Sequence, residues 1–310
     1  MSRYYPNSQY LAETDWLFAH IDDEDLRIID ARFHMRARED GTLERVSGHA
    51  DYLAGHIPGA QFVDLHAGLT HPVDPTSITG PEAFAALMSS LGIGPHKTVV
   101  VYDDRGGIWA ARLWWALRYY GHDRVKILNG GLGSWKTAGY GLQKKVVACP
   151  PARFVASVRP DLRVTRQEVL AAIDAPDTCI IDALPEPFYL GQAGISPRHR
   201  KGHVPGAYNL PAESHLDPQS LRMKSPEALR KLWQHLDIVP DRSVITYCGG
   251  GIFASFVLFV SALMGHEKVA LYDASWMEWG ADENLPVETG RRVPQQSIPA
   301  GDKNGAREAD

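Results

Sequence analysis

The chain has 310 residues, 44% hydrophobic and 22% charged, which is the balance of a soluble globular protein long enough for two ordinary domains. A net charge of -5 argues against a general nucleic-acid surface, and no apolar run approaches the ~20 residues of a membrane helix. Three cysteines, Cys149, Cys179 and Cys248, give no paired spacing for zinc or a disulfide framework, so a reducing cytoplasm is the expected compartment.

In chain order, the first half carries Ile28-Ile29-Asp30-Ala31, then Gly55-His56-Ile57-Pro58-Gly59-Ala60, the strand Val99 to Asp103, Gly121-His122 and Trp135. The second half repeats this as Ile180-Ile181-Asp182-Ala183, Gly202-His203-Val204-Pro205-Gly206-Ala207, Val244 to Cys248, Gly265-His266 and Trp279. Order is kept and only the loops differ in length, so the chain is a duplicated domain. The boundaries expected are residues 1–146 for the first domain, 147–162 for a linker, 163–292 for the second domain and 293–310 for a disordered tail.

Short apolar strands alternate with helical stretches, Pro81 to Leu91, Trp109 to Tyr120, Ser225 to Leu236 and Phe253 to Met264. That alternation predicts an α/β fold, with a parallel sheet and helices on both faces in each half. Thr165 with Glu168 three residues later predicts a capping box. Trp135 and Trp279, at matching places, are expected in the core, and Trp114 and Trp115 in packing at the sheet or between domains. His56 and His203 recur in both copies and are expected to be structural. Cys179 reads as a buried strand residue, and Cys149, in the linker, as exposed.

Chemistry concentrates at Cys248. A β-branched strand ends there, three glycines follow, and an apolar helix begins. Inward-pointing amides and the helix dipole favour a thiolate or bound anion, so Cys248 is expected to be a nucleophile with a lowered pKa. A buried inert cysteine is the competing reading.

The doubled GH-x-PGA pattern, the strand ending in Cys248 and the segment Tyr272 to Trp279 together resemble the two-domain rhodanese family, over about residues 10 to 288. The family comprises thiosulfate and 3-mercaptopyruvate sulfurtransferases, and the resemblance implies two rhodanese-like domains with the catalytic cysteine in the second. The implied activity is transfer of a sulfane sulfur through a Cys248 persulfide to a thiol or cyanide, with no metal or organic cofactor. A thioredoxin-like reductant is a further implied partner, and neither nucleic acid nor membrane is expected.

The substrate-binding residues expected are Gly249, Gly250, Gly251, Ile252 and Phe253 in the loop, Arg200 as the cation gripping the donor, and Trp276 as a wall. Three features depart from the family. The loop reads CGGGIFA, without the basic pair or hydroxyls of its relatives; Leu184 stands where an arginine commonly follows the strand-end aspartate; and Thr76 to Thr79 lacks a histidine. Thiosulfate is narrowly favoured over 3-mercaptopyruvate, because backbone amides and Arg200 alone could hold it, whereas a mercaptopyruvate carboxylate would miss the second arginine that Leu184 replaces. A non-catalytic sulfur carrier or binding module is the alternative, and no arginine follows the loop, which disfavours a phosphatase.

Overall fold

A computed structural model describes residues 4–38, 43–234, 236 and 242–292. The tail expected at 293–310 lies outside the described residues. The first half forms a five-stranded sheet in the order Leu11–Ala12, Val125–Leu128, Thr98–Tyr102, Leu26–Asp30, Gln61–Phe62, every pair parallel. The second repeats the order with Arg163–Val164, Val269–Tyr272, Ser243–Tyr247, Thr178–Asp182, Tyr208–Asn209. Central strands such as Thr178–Asp182 are buried on both faces, because crossover helices cover a parallel sheet from either side. In register, Asp30 lies beside Tyr102 and Asp182 beside Tyr247, so the matched acids occupy equivalent carboxyl ends.

The helices fall where the apolar periodicity predicts them, at Pro81–Ser90, Ala110–Tyr119, Pro226–Trp233 and Ile252–Leu263. Their ends differ from the sequence reading by one to three residues, the usual fraying of helix boundaries. Thr165 and Glu168 form the expected capping box. An antiparallel hairpin, Phe33–Ala37 with Leu43–Ser47, is inserted after the first strand-end aspartate and was not foreseen. Phe33, Met35 and Ala37 do alternate with polar residues, but Leu43–Ser47 does not, so no pair of alternating strands marks the hairpin.

The two halves share one continuous core. Helix Ile252–Leu263 buries every residue from Ala254 to Leu263, as an all-round apolar helix must, and packs against its counterpart Ala110–Tyr119. Trp114 meets Phe259 edge to face with ring centroids 5.0 Å apart, and Trp109 approaches Phe253 at 5.6 Å. A buried ion pair, Arg112 to Asp273 at 2.6 Å, also crosses between the halves, and the Ile78 amide donates to the second Asp273 oxygen at 2.7 Å. Trp135 and Trp279 are buried in matching satellite clusters. His56 and His203 are buried too, each donating from Nδ1 to a tyrosine carbonyl, Tyr52 and Tyr189, and stacking on that ring. Cys149 is half-buried and its thiol donates to the Leu91 carbonyl, rather than standing exposed.

Candidate active site

Strand Ser243–Tyr247 delivers Cys248 to the carboxyl edge of the second sheet, where sites of parallel α/β sheets form. The following turn is pinned from the short helix Ser275–Trp279 that follows the neighbouring strand. The Cys248 amide donates to Ser275 Oγ at 3.1 Å, and the Cys248 and Gly249 carbonyls accept from the Trp276 and Met277 amides, both at 2.9 Å. Ser275 holds a positive φ of 54° to do this, and its hydroxyl donates to the Tyr272 carbonyl at 2.8 Å. Gly251 opens the helix at φ 80°, where an added Cβ would lie 2.7 Å from Arg112 Nη1 and 2.9 Å from the Asp273 carbonyl oxygen. Only glycine fits both the dihedral and the space.

The Cys248 thiol is 1% exposed and receives backbone N–H groups from Ala254, Gly250 and Gly251. Burial nonetheless pushes it up from its ordinary value; the amides oppose that shift and Asp182 adds to it. The expectation of a lowered thiol pKa therefore gives way, because loss of water outweighs three amide dipoles.

Cys248 opens into a cavity of about 400 Å³, within the roughly 300–1,000 Å³ of small-molecule sites. Gly249, Gly250, Ile252 and Phe253 form its floor, while Leu184, Phe188 and Ile195 make an apolar wall. Ser196 and His199 supply polar atoms, with Ser196 Oγ 2.8 Å from His199 Nδ1 and the other ring nitrogen 3.1 Å from the Met277 carbonyl. The remaining side arrives from the first domain, as Met35 and Arg45 are cross-strand partners on the hairpin and both line the cavity. None of Met35, Arg45, Ser196, His199 and Met277 was read as a site residue from sequence. For the hairpin pair no local signal existed, since about two hundred residues separate it from Cys248.

Two residues expected at the site stand elsewhere. Arg200 is held by backbone carbonyls: it donates to Leu285 at 2.7 Å, Trp279 at 3.0 Å, Gly280 at 3.4 Å and, more closely, Asp282. It fastens the segment after the last helix and does not line the cavity. Trp276 is 3% exposed, packs in the core cluster with Tyr247, and donates from its indole to the Arg200 carbonyl at 2.8 Å. It supports the loop through its amide rather than walling the cavity.

The matching turn of the first domain shows what the cradle does without a thiol. Asp103 replaces the cysteine, and its carboxylate accepts four backbone amides, from Arg105, Gly107, Trp109 and Ala110, at 2.7–2.9 Å. The anion site is thus filled by the chain's own side chain. The upstream positions also differ. In the first domain Arg32 pairs with Asp30 at 2.6 Å, whereas in the second Leu184 leaves Asp182 without that guanidinium, and burial pushes Asp182 up to about 7.

The rhodanese-like domain model matches residues 13–138 and 165–282, the two halves defined by the sheets. The chain is 36% identical over 284 residues to the 3-mercaptopyruvate sulfurtransferase of Escherichia coli, covering 91% of this chain and 99% of that protein. It is 34% identical over 248 residues to a thiosulfate sulfurtransferase of Pseudomonas aeruginosa, covering 79% and 90%. The solved structure of SseA, a 3-mercaptopyruvate sulfotransferase from Escherichia coli, superposes with a TM-score of 0.77 at 34% identity over 86% of this chain and 98% of that one. With both halves matched, this chain belongs to the two-domain rhodanese family of sulfurtransferases.

Proposed function

We propose that Cys248 carries the transferred sulfur as a persulfide, and that 3-mercaptopyruvate is preferred to thiosulfate as donor. The observation supporting this is the Cys248 cavity, whose wall is apolar at Leu184, Phe188 and Ile195 and so offers contact to a carbon skeleton that thiosulfate lacks. The narrow preference for thiosulfate rested on Arg200, whose guanidinium is occupied by carbonyls. Similarity to 3-mercaptopyruvate sulfurtransferases points the same way.

In the first half-reaction the Cys248 thiolate attacks the donor sulfur. The S–S bond forms, the C–S bond breaks with its electron pair passing to carbon as the pyruvate enolate, and the proton of the donor thiol ends on that carbon. The persulfide anion then lies against the amides of Gly250, Gly251 and Ala254, which stabilise charge where it accumulates. A thiolate or cyanide attacks the outer sulfur and returns Cys248 as thiolate, a two-step covalent sequence with ping-pong kinetics. Regeneration by a thioredoxin-like reductant and a cytoplasmic location suit three free cysteines.

Initial rates with the two donors at fixed cyanide, with Cys248→Ser as the blank, test the reading. A kcat/KM at least tenfold higher for 3-mercaptopyruvate is expected. A tenfold preference for thiosulfate overturns the donor assignment, and activity surviving in Cys248→Ser overturns the nucleophile.

A further inference from the structure

The Cys248 cavity needs a cation, since both donors are anions, and the second domain supplies none of the obvious ones. Leu184 occupies the position that is Arg32 in the first domain, and Arg200 is bound to four carbonyls. The Ser196–His199 pair satisfies both ring nitrogens internally.

We infer that Arg45, carried into the cavity by the hairpin of the first domain, is the group that binds the anionic end of the sulfur donor. Its guanidinium lies directly over the cysteine loop, with Nη2 3.4 Å from where a Cβ on Gly250 would be and 3.1 Å from Met277 Sδ. The other terminal nitrogen is 3.4 Å from His66 Nδ1. The thioether is a weak acceptor, the contact to the imidazole is long and neither neighbour carries a countercharge; among the described residues no carboxylate pairs with Arg45, whereas the neighbouring Arg112 has Asp273. A half-buried guanidinium with two weak neighbours and a cavity in front of it lacks an anion, and a carboxylate or sulfonate would complete it with paired charge-assisted bonds.

The charges around Arg45 reinforce this. Arg112 repels it, a Cys248 thiolate attracts it, and burial together with Arg45 pushes His66 down. The hairpin is held from below by Phe33, 1% exposed and edge to face with Trp109 at 5.5 Å. It is fixed at its base by Gly48, where any Cβ would lie 2.3 Å from the Arg32 carbonyl oxygen. The Met35–Arg45 rung therefore has a defined place over the second domain's loop, and the active site is composite. Its nucleophile and anion cradle come from one domain and its specificity cation from the other.

This inference rests on Cys248 as the reacting sulfur but not on the identity of the donor. The test is the ratio of Cys248 alkylation rates with iodoacetate and with iodoacetamide, followed by mass spectrometry of the Cys248 peptide in the full chain. Both reagents need the same thiolate, so the ratio cancels any change in its ionised fraction and reports the cation facing the sulfur. In Arg45→Gln the ratio is expected to fall about tenfold, with the iodoacetamide rate extrapolated to full ionisation within twofold of the parent. Arg45→Lys is expected to restore at least half of the loss, and KM for 3-mercaptopyruvate to rise about tenfold in the glutamine variant only. A ratio unchanged within twofold in Arg45→Gln overturns the inference, as does a ratio that Arg45→Lys leaves as low as glutamine does. If Cys248 never acquires sulfur from any donor, the proposed function fails while the alkylation ratio still decides the role of Arg45.

Discussion

At the scale of single residues, the duplicated sequence supplies its own control. Asp103 and Cys248 occupy the same turn, and each is ringed by backbone amides. Removing the carboxylate in Asp103→Ala strands the three buried amides of Gly107, Trp109 and Ala110, each worth about 1–3 kcal/mol when left unpaired. Relaxation recovers part of that, so urea unfolding is expected to show a loss of about 2–4 kcal/mol, and a loss under 1 kcal/mol would mean that the amides find other partners. Arg200→Met separates a strap from a donor grip. It is expected to lower Tm by several degrees with KM within twofold, and a raised KM at unchanged Tm would return Arg200 to the binding site. Asp182 makes a pH prediction with a definite sign. Its folded pKa of about 7 lies above the roughly 3.9 of an unfolded aspartate, so over that interval the folded chain holds a proton that the unfolded chain has lost. This contribution to stability is complete below pH ~4 and is lost as pH rises through about 7. In Asp182→Asn the decline between those values should be shallower in urea midpoints, and parallel curves would contradict it.

Among the secondary-structure elements, the strand–glycine–helix unit at Cys248 was legible because each part carries a local signal. β-branched residues mark Ser243–Tyr247, glycines mark the turn, and the apolar run Phe256 to Met264 marks the helix, whose residues from Ala254 to Leu263 are all buried. Gly251→Ala tests the geometry. A left-handed φ and a Cβ against the buried Arg112–Asp273 pair should cost about 1–3 kcal/mol and distort the amide ring, with a fall in kcat larger than any rise in KM. Full kcat in a stable variant would show that the loop tolerates a side chain there. The hairpin was illegible for an equally physical reason: its partners are tertiary. The strand Leu43–Ser47 gives no apolar alternation, and its approach to the second domain appears only in the fold, where Arg45 lies over Gly250. Arg200 and Trp276 were misplaced because position beside a motif was taken for orientation toward the site, whereas both side chains point to backbone behind it.

At the scale of the whole molecule, duplication was plain from ordered motifs, and with it the parallel sheets and the asymmetry between a strand ending in Asp103 and one ending in Cys248; that the aspartate fills its own amide cradle emerges only in the fold. What one chain of letters does not carry is how the two copies dock. That depends on Trp109, Trp114, Phe253 and Phe259 meeting across helices whose apolar faces alone leave the pairing open. The shared core predicts one cooperative unfolding transition for both halves, and Trp114→Ala should lower stability by about 3–5 kcal/mol while keeping it single. The sulfur chemistry itself is tested most directly by the intact mass of the protein after treatment with 3-mercaptopyruvate or thiosulfate and removal of small molecules. The account predicts a gain of one sulfur atom, mapped to Cys248, discharged by cyanide and missing in Cys248→Ser. An unchanged mass with both donors, or a sulfur atom that maps to Cys149 or Cys179, would contradict it.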